Sequence, residues 1–341
     1  MIGPARIRRL AADSGYREEI VEKVLYLQAI LRQLAHHPDL AGAWALKGGT
    51  ALNLFLLDVP RLSVDIDINY VGHGELEAMQ AARPAFEAAV VACCEREDCT
   101  VRRMPAEHAG GKLRLRYTAA GGGTGSLEVD VNFLLRRPVL GLEHRAPRFP
   151  PDAGAETIPL LALEEIAAGK FTALLTRRAA RDAFDAFQLL ELAPDLLDRA
   201  GFRLAFLIYA AGARQDVRGL RPGTAAVTPI EVRDQLLPLL RVERRLFDGD
   251  PVRLAERLTE VCAAAGERLL AWTGREREFI DRLTDSGEIV AELIADDPAV
   301  QALVREQPLL QWKALNVREF RSRAKKGPQP PPVRRPPRRR R

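Results

Sequence analysis

Two aspartates one residue apart, with a glycine pair upstream of them, are the side chains of this 341-residue chain best placed to do chemistry. Residues 46–69 read L-K-G-G-T-A-L-N-L-F-L-L-D-V-P-R-L-S-V-D-I-D-I-N. Val64, Ile66 and Ile68 alternate with Asp65, Asp67 and Asn69, so on a strand both carboxylates leave one face, roughly 6–7 Å apart. Two acids so placed repel each other unless a divalent cation lies beside them, which is how a Mg²⁺-dependent phosphoryl-transfer site is built. Gly48 and Gly49 lack a Cβ, so their backbone can come close to a ligand. A helix opening near Thr50 would aim free N–H groups at the same spot, where a phosphate fits. Taken singly, a Gly-Gly before a helix is an ordinary turn and a D-x-D an ordinary solvated edge. Their order on one short stretch is what carries the reading.

The elements that must position these residues are legible from periodicity. An apolar strand at 44–47 leads into the glycine turn, and a loop through Pro60 leads into the strand of Asp65 and Asp67. Ile20, Val24, Leu27, Leu31 and Leu34 recur at helical spacing within 17–35, and Leu76, Met79, Phe86 and Val90 within 75–95, giving two amphipathic helices. From Lys112 to Leu135 the period changes to two on either side of a glycine turn at 121–125, which predicts a hairpin. That glycine run lacks the strand-to-helix context and the Gly-Lys-Ser/Thr ending of a phosphate loop. After a proline-broken connection at 138–159, a continuous helix over 160–191 would set Lys170, Arg177 and Arg181 within about 40° of arc, with Asp185 close by. Residues 201–315 are helical in pattern, with Trp272 and Trp312 read as packing residues.

Gly-Gly-Thr, Arg61-x-Ser63 and Asp65-x-Asp67 in this order resemble the first motif of the nucleotidyltransferase superfamily, in the form used by the AbiEii/AbiGii toxin family, to which the MenT toxins also belong. K-x-x-A-L-x-x-R-x-x-x-R-D-x-x-D, Lys170 through Asp185, is similar to the second block of that family, where the lysine is implicated in catalysis. L-E-V-D-V-N-F resembles the strand on which such enzymes carry a third carboxylate, with Asp130 at the matching position and Glu128, on the same face, able to substitute. The resemblance covers about residues 40–190. It implies an α/β fold, a nucleotidyltransferase-like mixed sheet with flanking helices followed by a mostly helical C-terminal lobe. The expected divisions are 1–155 for the core, 156–320 for the lobe with the Lys170 helix, and 321–341 for a disordered basic Pro/Arg tail.

The same resemblance implies transfer of a nucleotide from an NTP to an acceptor, which in the MenT members is the 3′ end of tRNA, and a separately encoded antitoxin as partner. The role would be that of a toxin in a toxin-antitoxin or phage-defence pair. Asp65, Asp67 and Asp130 would hold Mg²⁺ or Mn²⁺, and Gly48, Gly49, Thr50 and Ser63 would cradle the triphosphate. Lys170, Arg177 and Arg181 would bind phosphates or the acceptor backbone, oriented by Asp182 or Asp185 through charge-assisted bonds. A kinase-like or self-modifying phosphotransferase would use much the same residues. A catalytically silent nucleic-acid-binding protein is the other alternative, but an acidic pair facing an anionic ligand has no use in a binding module.

Composition narrows the remaining classes. At 47% hydrophobic the chain can bury sizeable cores. It has no apolar run of about 18 residues, and residues 1–9 are basic without an apolar stretch of signal-peptide length, so no membrane span is expected and the cytoplasm is the expected compartment. Cys93, Cys94, Cys99 and Cys262 fit neither a zinc pattern nor a disulfide framework, and His36 and His37 end a helix with no ligand partner at metal spacing. Of 51 Lys and Arg, ten follow Phe320, where there is no acid; residues 1–320 keep 41 bases against 46 acids. The body is therefore mildly acidic, and the basic end, with six prolines, is expected to be extended and to meet an RNA backbone.

Overall fold

An alternating strand buries one face only if a second layer covers it, and in this protein the two faces of the sheet are covered unequally. The computed structural model describes residues 3–104, 110–177, 179–241 and 246–326. Seven strands, β1 Trp44–Lys47, β2 Asp65–Tyr70, β3 Thr100–Met104, β4 Gly110–Thr118, β5 Thr124–Asn132, β6 Leu142–Arg145 and β7 Ile158–Leu161, form one sheet. Their order is β3-β4-β5-β2-β1-β7-β6. The sheet is mixed: β2 runs parallel to β5 and β1 parallel to β7, while the other neighbours are antiparallel.

Helices α1 Pro4–Ser14, α2 Glu18–His36, α3 Gly48–Ala51 and α4 Leu76–Arg96 belong to the sheet half of the chain. The face carrying Ile66, Ile68, Leu113, Leu115, Val129 and Val131 is buried, as the period of two predicts. α2 and α4 cover it: Tyr26 stacks on Tyr117 at 3.9 Å, and Phe86 meets Tyr70 edge-on at 5.0 Å. Met79, Phe86 and Val90 turn inward as expected, whereas Leu76, at the first turn of α4, is half exposed.

The helical half starts with α5 Leu163–Arg177, α6 Ala180–Leu192 and α7 Ala200–Gly212 and goes on through Pro251–Leu270, Gly274–Asp281, Pro298–Arg305 and Pro308–Lys326. Its core is aromatic. Phe171 packs edge-on to Phe202, and Phe202, Phe206 and Trp272 stack in a row. Arg203 lies 5.0 Å from the Trp272 ring, which makes that tryptophan a packing residue, as read from the sequence. The four cysteines are buried and unbridged. No helix among the described residues is long and apolar enough to cross a membrane.

The structure corrects several expectations. The helix expected at Thr50 opens at Gly48 and runs on as a π turn through Leu52–Leu56. Residues 160–191 are not one helix. β7 takes the start, α5 ends at Arg177, and Ala179 is extended at φ −88°, ψ 139° before α6 begins. No glycine or proline marks that break; it is held by contacts made across it, described below. β7 inserts beside β1, so the sheet draws on residues beyond 155. The basic end is helical as far as Lys326, because the first helix-breaking residues after Phe320 are Gly327 and Pro328. Residues 327–341, where the remaining tail expectation falls, lie outside the described residues.

Candidate active site

In parallel register, side chains of neighbouring strands share a face. The pairing Asp65↔Glu128 and Asp67↔Asp130 therefore sets four carboxylates in a two-by-two array on the face of the sheet that α2 and α4 leave free. Their neutralisation differs. Glu128 accepts from Lys112 Nζ at 2.8 Å and Arg114 Nη2 at 3.1 Å, and those bonds hold its carboxyl below the usual range. Arg181 comes to 3.7 Å from Asp65. Among the described residues neither Asp67 nor Asp130 has an ion pair. Burial pushes the carboxyls of Asp65 and Asp130 up, and in both cases the charge of Asp67 adds to the shift. Of the two acids on β5, Asp130 is thus the one without a direct ion pair among the described residues; Lys47 and Lys112 offset its charge only from a distance.

The glycine turn approaches this array closely. Gly48 has φ +73°, and a Cβ there would come 2.4 Å from Asp67 Oδ2. A Cβ on Gly49 would come 2.8 Å from Arg61 Nη2 and 3.0 Å from Ser63 Oγ. Both positions need glycine, one for its backbone conformation and both for space. Gly48→Ala is expected to displace the Asp67 carboxylate, adding about 1–2 kcal/mol of backbone strain and lowering turnover by more than the melting temperature suggests. Thermal melts beside single-turnover assays check this, and a fully active variant would remove Asp67 from the site.

Thr50 is fully buried and donates its hydroxyl to the Asp65 carbonyl at 2.5 Å. It ties the turn to β2 instead of lining the cleft. The cleft itself, about 350 Å³, is lined by Gly49, Ser63, Asp65, Asp67 and Asp130 on the sheet side and by Lys170, Arg177, Arg181 and Asp182 from α5 and α6. A second cavity of about 430 Å³ opens on the far side of Gly48 and meets the first at Asp67, Asp130, Lys170 and Arg177. Its walls include Leu134, Leu135, Ile166 and Tyr209.

Beneath the cleft runs a chain of alternating charges. Arg61 grips Asp185 with two bonds of 2.8 and 2.7 Å, Asp185 takes Lys170 at 2.7 Å, Lys170 reaches Asp182 at 3.1 Å, and Asp182 accepts from Arg177 Nε at 2.8 Å. Asn53 donates to Asp185 at 2.9 Å and to the Gly49 carbonyl at 3.0 Å. Burial works against Asp185, yet Arg61 and then Lys170 outweigh it and hold its carboxyl well below the usual range. Asp182, also raised by burial, is likewise held down, chiefly by Lys170 and Arg177. The Arg177–Asp182 pair spans the break between α5 and α6, a break that no glycine or proline signals. Three cations and two anions leave one net positive charge, and the Arg177 side chain, 65% exposed, presents it to the cleft.

Every residue named from the sequence lies in or directly under this cleft, Asp185 and Thr50 in the supporting layer. Arg61 and Asn53 received no role from the sequence. Arg61 did stand in a named motif, and a lone arginine between apolar neighbours, Pro60 and Leu62, was the available signal. Among the described residues no three acidic, His or Cys side chains form a ready-made metal cage. What fits a cation is the charge of the donor set: Asp67 and Asp130 stand opposite each other in register, and neither has a direct ion pair among the described residues, although Lys47 lies across from Asp67 on β1.

Sheet order and the facing helical lobe define a nucleotidyltransferase fold. Residues 29–318 match the family described as nucleotidyl transferase AbiEii toxin, type IV TA system, and the chain belongs to that family. Membership brings with it a nucleotide substrate and an antitoxin partner. The chain is similar to MenT4, a nucleotidyltransferase toxin from Mycobacterium tuberculosis, at 19% identity over 91% of this chain and 99% of that one, with a TM-score of 0.52. It is also similar to JHP933 from Helicobacter pylori, at 17% identity over 74% and 94% of the two chains, with a TM-score of 0.45. No curated protein matches it.

Proposed function

We propose that this enzyme transfers a nucleotide from an NTP to the 3′ end of an RNA, a tRNA, as the toxin of a pair restrained by its antitoxin. The observation that carries the reading is the facing pair Asp67 and Asp130, neither in a direct ion pair among the described residues, set against Gly48 and the net-positive ion chain. Asp65, Asp67 and Asp130 would hold Mg²⁺ or Mn²⁺, which supplies Lewis-acid stabilisation of phosphate charge. Arg177 and Arg181, cations that line the cleft, take phosphate oxygens, and the Gly49 backbone and Ser63 hydroxyl line the path proposed for the triphosphate. Lys170 has two of its three N–H groups committed to Asp182 and Asp185; the third steadies the triphosphate as a compact point charge. The acceptor hydroxyl attacks the α-phosphorus, the bond to the bridging oxygen breaks, and pyrophosphate leaves.

The purified chain, given total RNA, Mg²⁺ and each NTP labelled at the α-phosphate or, in parallel, at the γ-phosphate, should label RNA from the α-phosphate, and EDTA should prevent it. Label reaching RNA or the protein only from the γ-phosphate would replace this reading with the phosphotransferase alternative. No label from any NTP would remove the proposal.

A further inference from the structure

The register that assembles the carboxylates continues beyond them. Reading across strands from Asp65, the shared face carries Glu128 on β5, Arg114 on β4 and Arg102 on β3; from Asp67 it carries Asp130 and Lys112; beside them Arg116 stands opposite Ser126. Arg102, Arg114 and Arg116 are exposed, as are Thr100, Thr118, Thr124 and Ser126, so no layer among the described residues covers this half of the face. A hollow of about 590 Å³ follows it, lined by Lys23, Arg114, Arg116 and Ser126, and it shares Asp65 and Glu128 with the catalytic cleft.

We propose that the open face of β3, β4 and β5 is the track on which the acceptor's phosphate backbone docks, delivering a polynucleotide end to Asp130. The proposal rests on the reading that the acceptor is a polynucleotide. Five cations, Lys23, Arg102, Lys112, Arg114 and Arg116, meet the acids Glu128 and Asp65 at the cleft end, and Glu128 is already neutralised by Lys112 and Arg114. Lys23, Arg102 and Arg116 have no ion pair among the described residues. Cations on an edge strand often serve only to discourage strand pairing. Arg114 and Arg116 lie on β4, one strand in from the edge, so that purpose does not account for them. The occupant follows from the side chains. Apart from the acids Glu128 and Asp130, the side chains described on this face are those of Arg, Lys, Thr, Ser and Asn, which contact phosphate and sugar, whereas a protein partner needs an apolar interface core that these side chains do not offer. With no aromatic among the described residues of this face to stack a base, the track holds the backbone without reading sequence.

The test is charge reversal away from the catalytic cleft, Arg102→Glu with Arg116→Glu, in the full chain. Fluorescence anisotropy with a labelled single-stranded oligoribonucleotide should show affinity reduced about ten-fold at low salt, and a log K against log salt slope flatter by roughly 1.4 for two lost contacts. The KM for NTP and turnover at saturating RNA should stay unchanged. Arg102→Gln with Arg116→Gln, a milder pair, should shift affinity in the same direction, and a melt identical to the wild type excludes misfolding. Unchanged affinity and slope would overturn the track. So would a variant that binds RNA normally but no longer binds the antitoxin, which would make this a protein-docking face. Labelling of RNA by the unaltered enzyme tests the underlying reading separately, because the track can fail while RNA is still labelled.

Discussion

Asp67→Asn is expected to lower nucleotide transfer by on the order of 10²–10³-fold or more while leaving the protein as stable as before, or slightly more so. The substitution keeps size and shape, and Asp67 has no ion pair among the described residues to lose. Its charge raises the carboxyls of Asp65 and Asp130, so neutralising it relieves repulsion in the folded state. A carboxylate that raises its neighbours' carboxyls and is nevertheless kept in the cleft fits the pattern of an active site, where activity and stability pull apart. Glu128→Gln provides the contrast. That carboxylate is one strand away but bonded to Lys112 and Arg114, so its loss should change turnover by only a few-fold. α-Labelled NTP transfer and thermal melts on both variants decide the matter: wild-type turnover in Asp67→Asn, or equal losses in the two, would mean that the unpaired carboxylates are not the catalytic ones.

What could be read from the sequence was whatever depends on near neighbours. The alternation around Asp65 and Asp130 gave the strands and the facing acids, and the glycines of the Gly48 turn signalled themselves because a Cβ fits at neither position. The break after Arg177 could not be read. The segment is a good helix former throughout, and what bends it is the pull of Asp182 on Lys170 and Arg177, a contact that exists only once both helices are docked. Arg61 escaped for the same reason. Its partner lies 124 residues away, and the apolar neighbours Pro60 and Leu62 hint at burial without saying which acid meets the guanidinium. The cationic rows across β3 and β4 were visible as alternation, but their alignment with the carboxylates needed the strand register.

The largest structural effect is expected at Asp185. Asp185→Ala should destabilise the protein by about 3–5 kcal/mol, the usual consequence of removing one partner from a buried ion pair. Asp185 is fully buried, Arg61 is 2% exposed, and Lys170 and Asn53 also donate to this carboxylate. Without it a guanidinium and an ammonium face each other away from water. The pH dependence has a fixed sign. Because the folded-state carboxyls of Asp185 and Asp182 are held below their unfolded values, their contribution is complete above the unfolded pKa of about 3.9 and is lost as pH falls through the folded values. Denaturant melts should therefore show wild-type stability dropping below about pH 4, with a flatter profile for Asp185→Ala in that window. A loss under about 1 kcal/mol at pH 7 would mean that water reaches the network. The combination Arg61→Met, Lys170→Met and Asp185→Leu separates stability from purpose, since well-packed apolar groups often replace buried ions at no net loss. That variant should regain much of the stability lost in Asp185→Ala and yet transfer no nucleotide, because with the network it has lost Lys170, the cation proposed to steady the triphosphate.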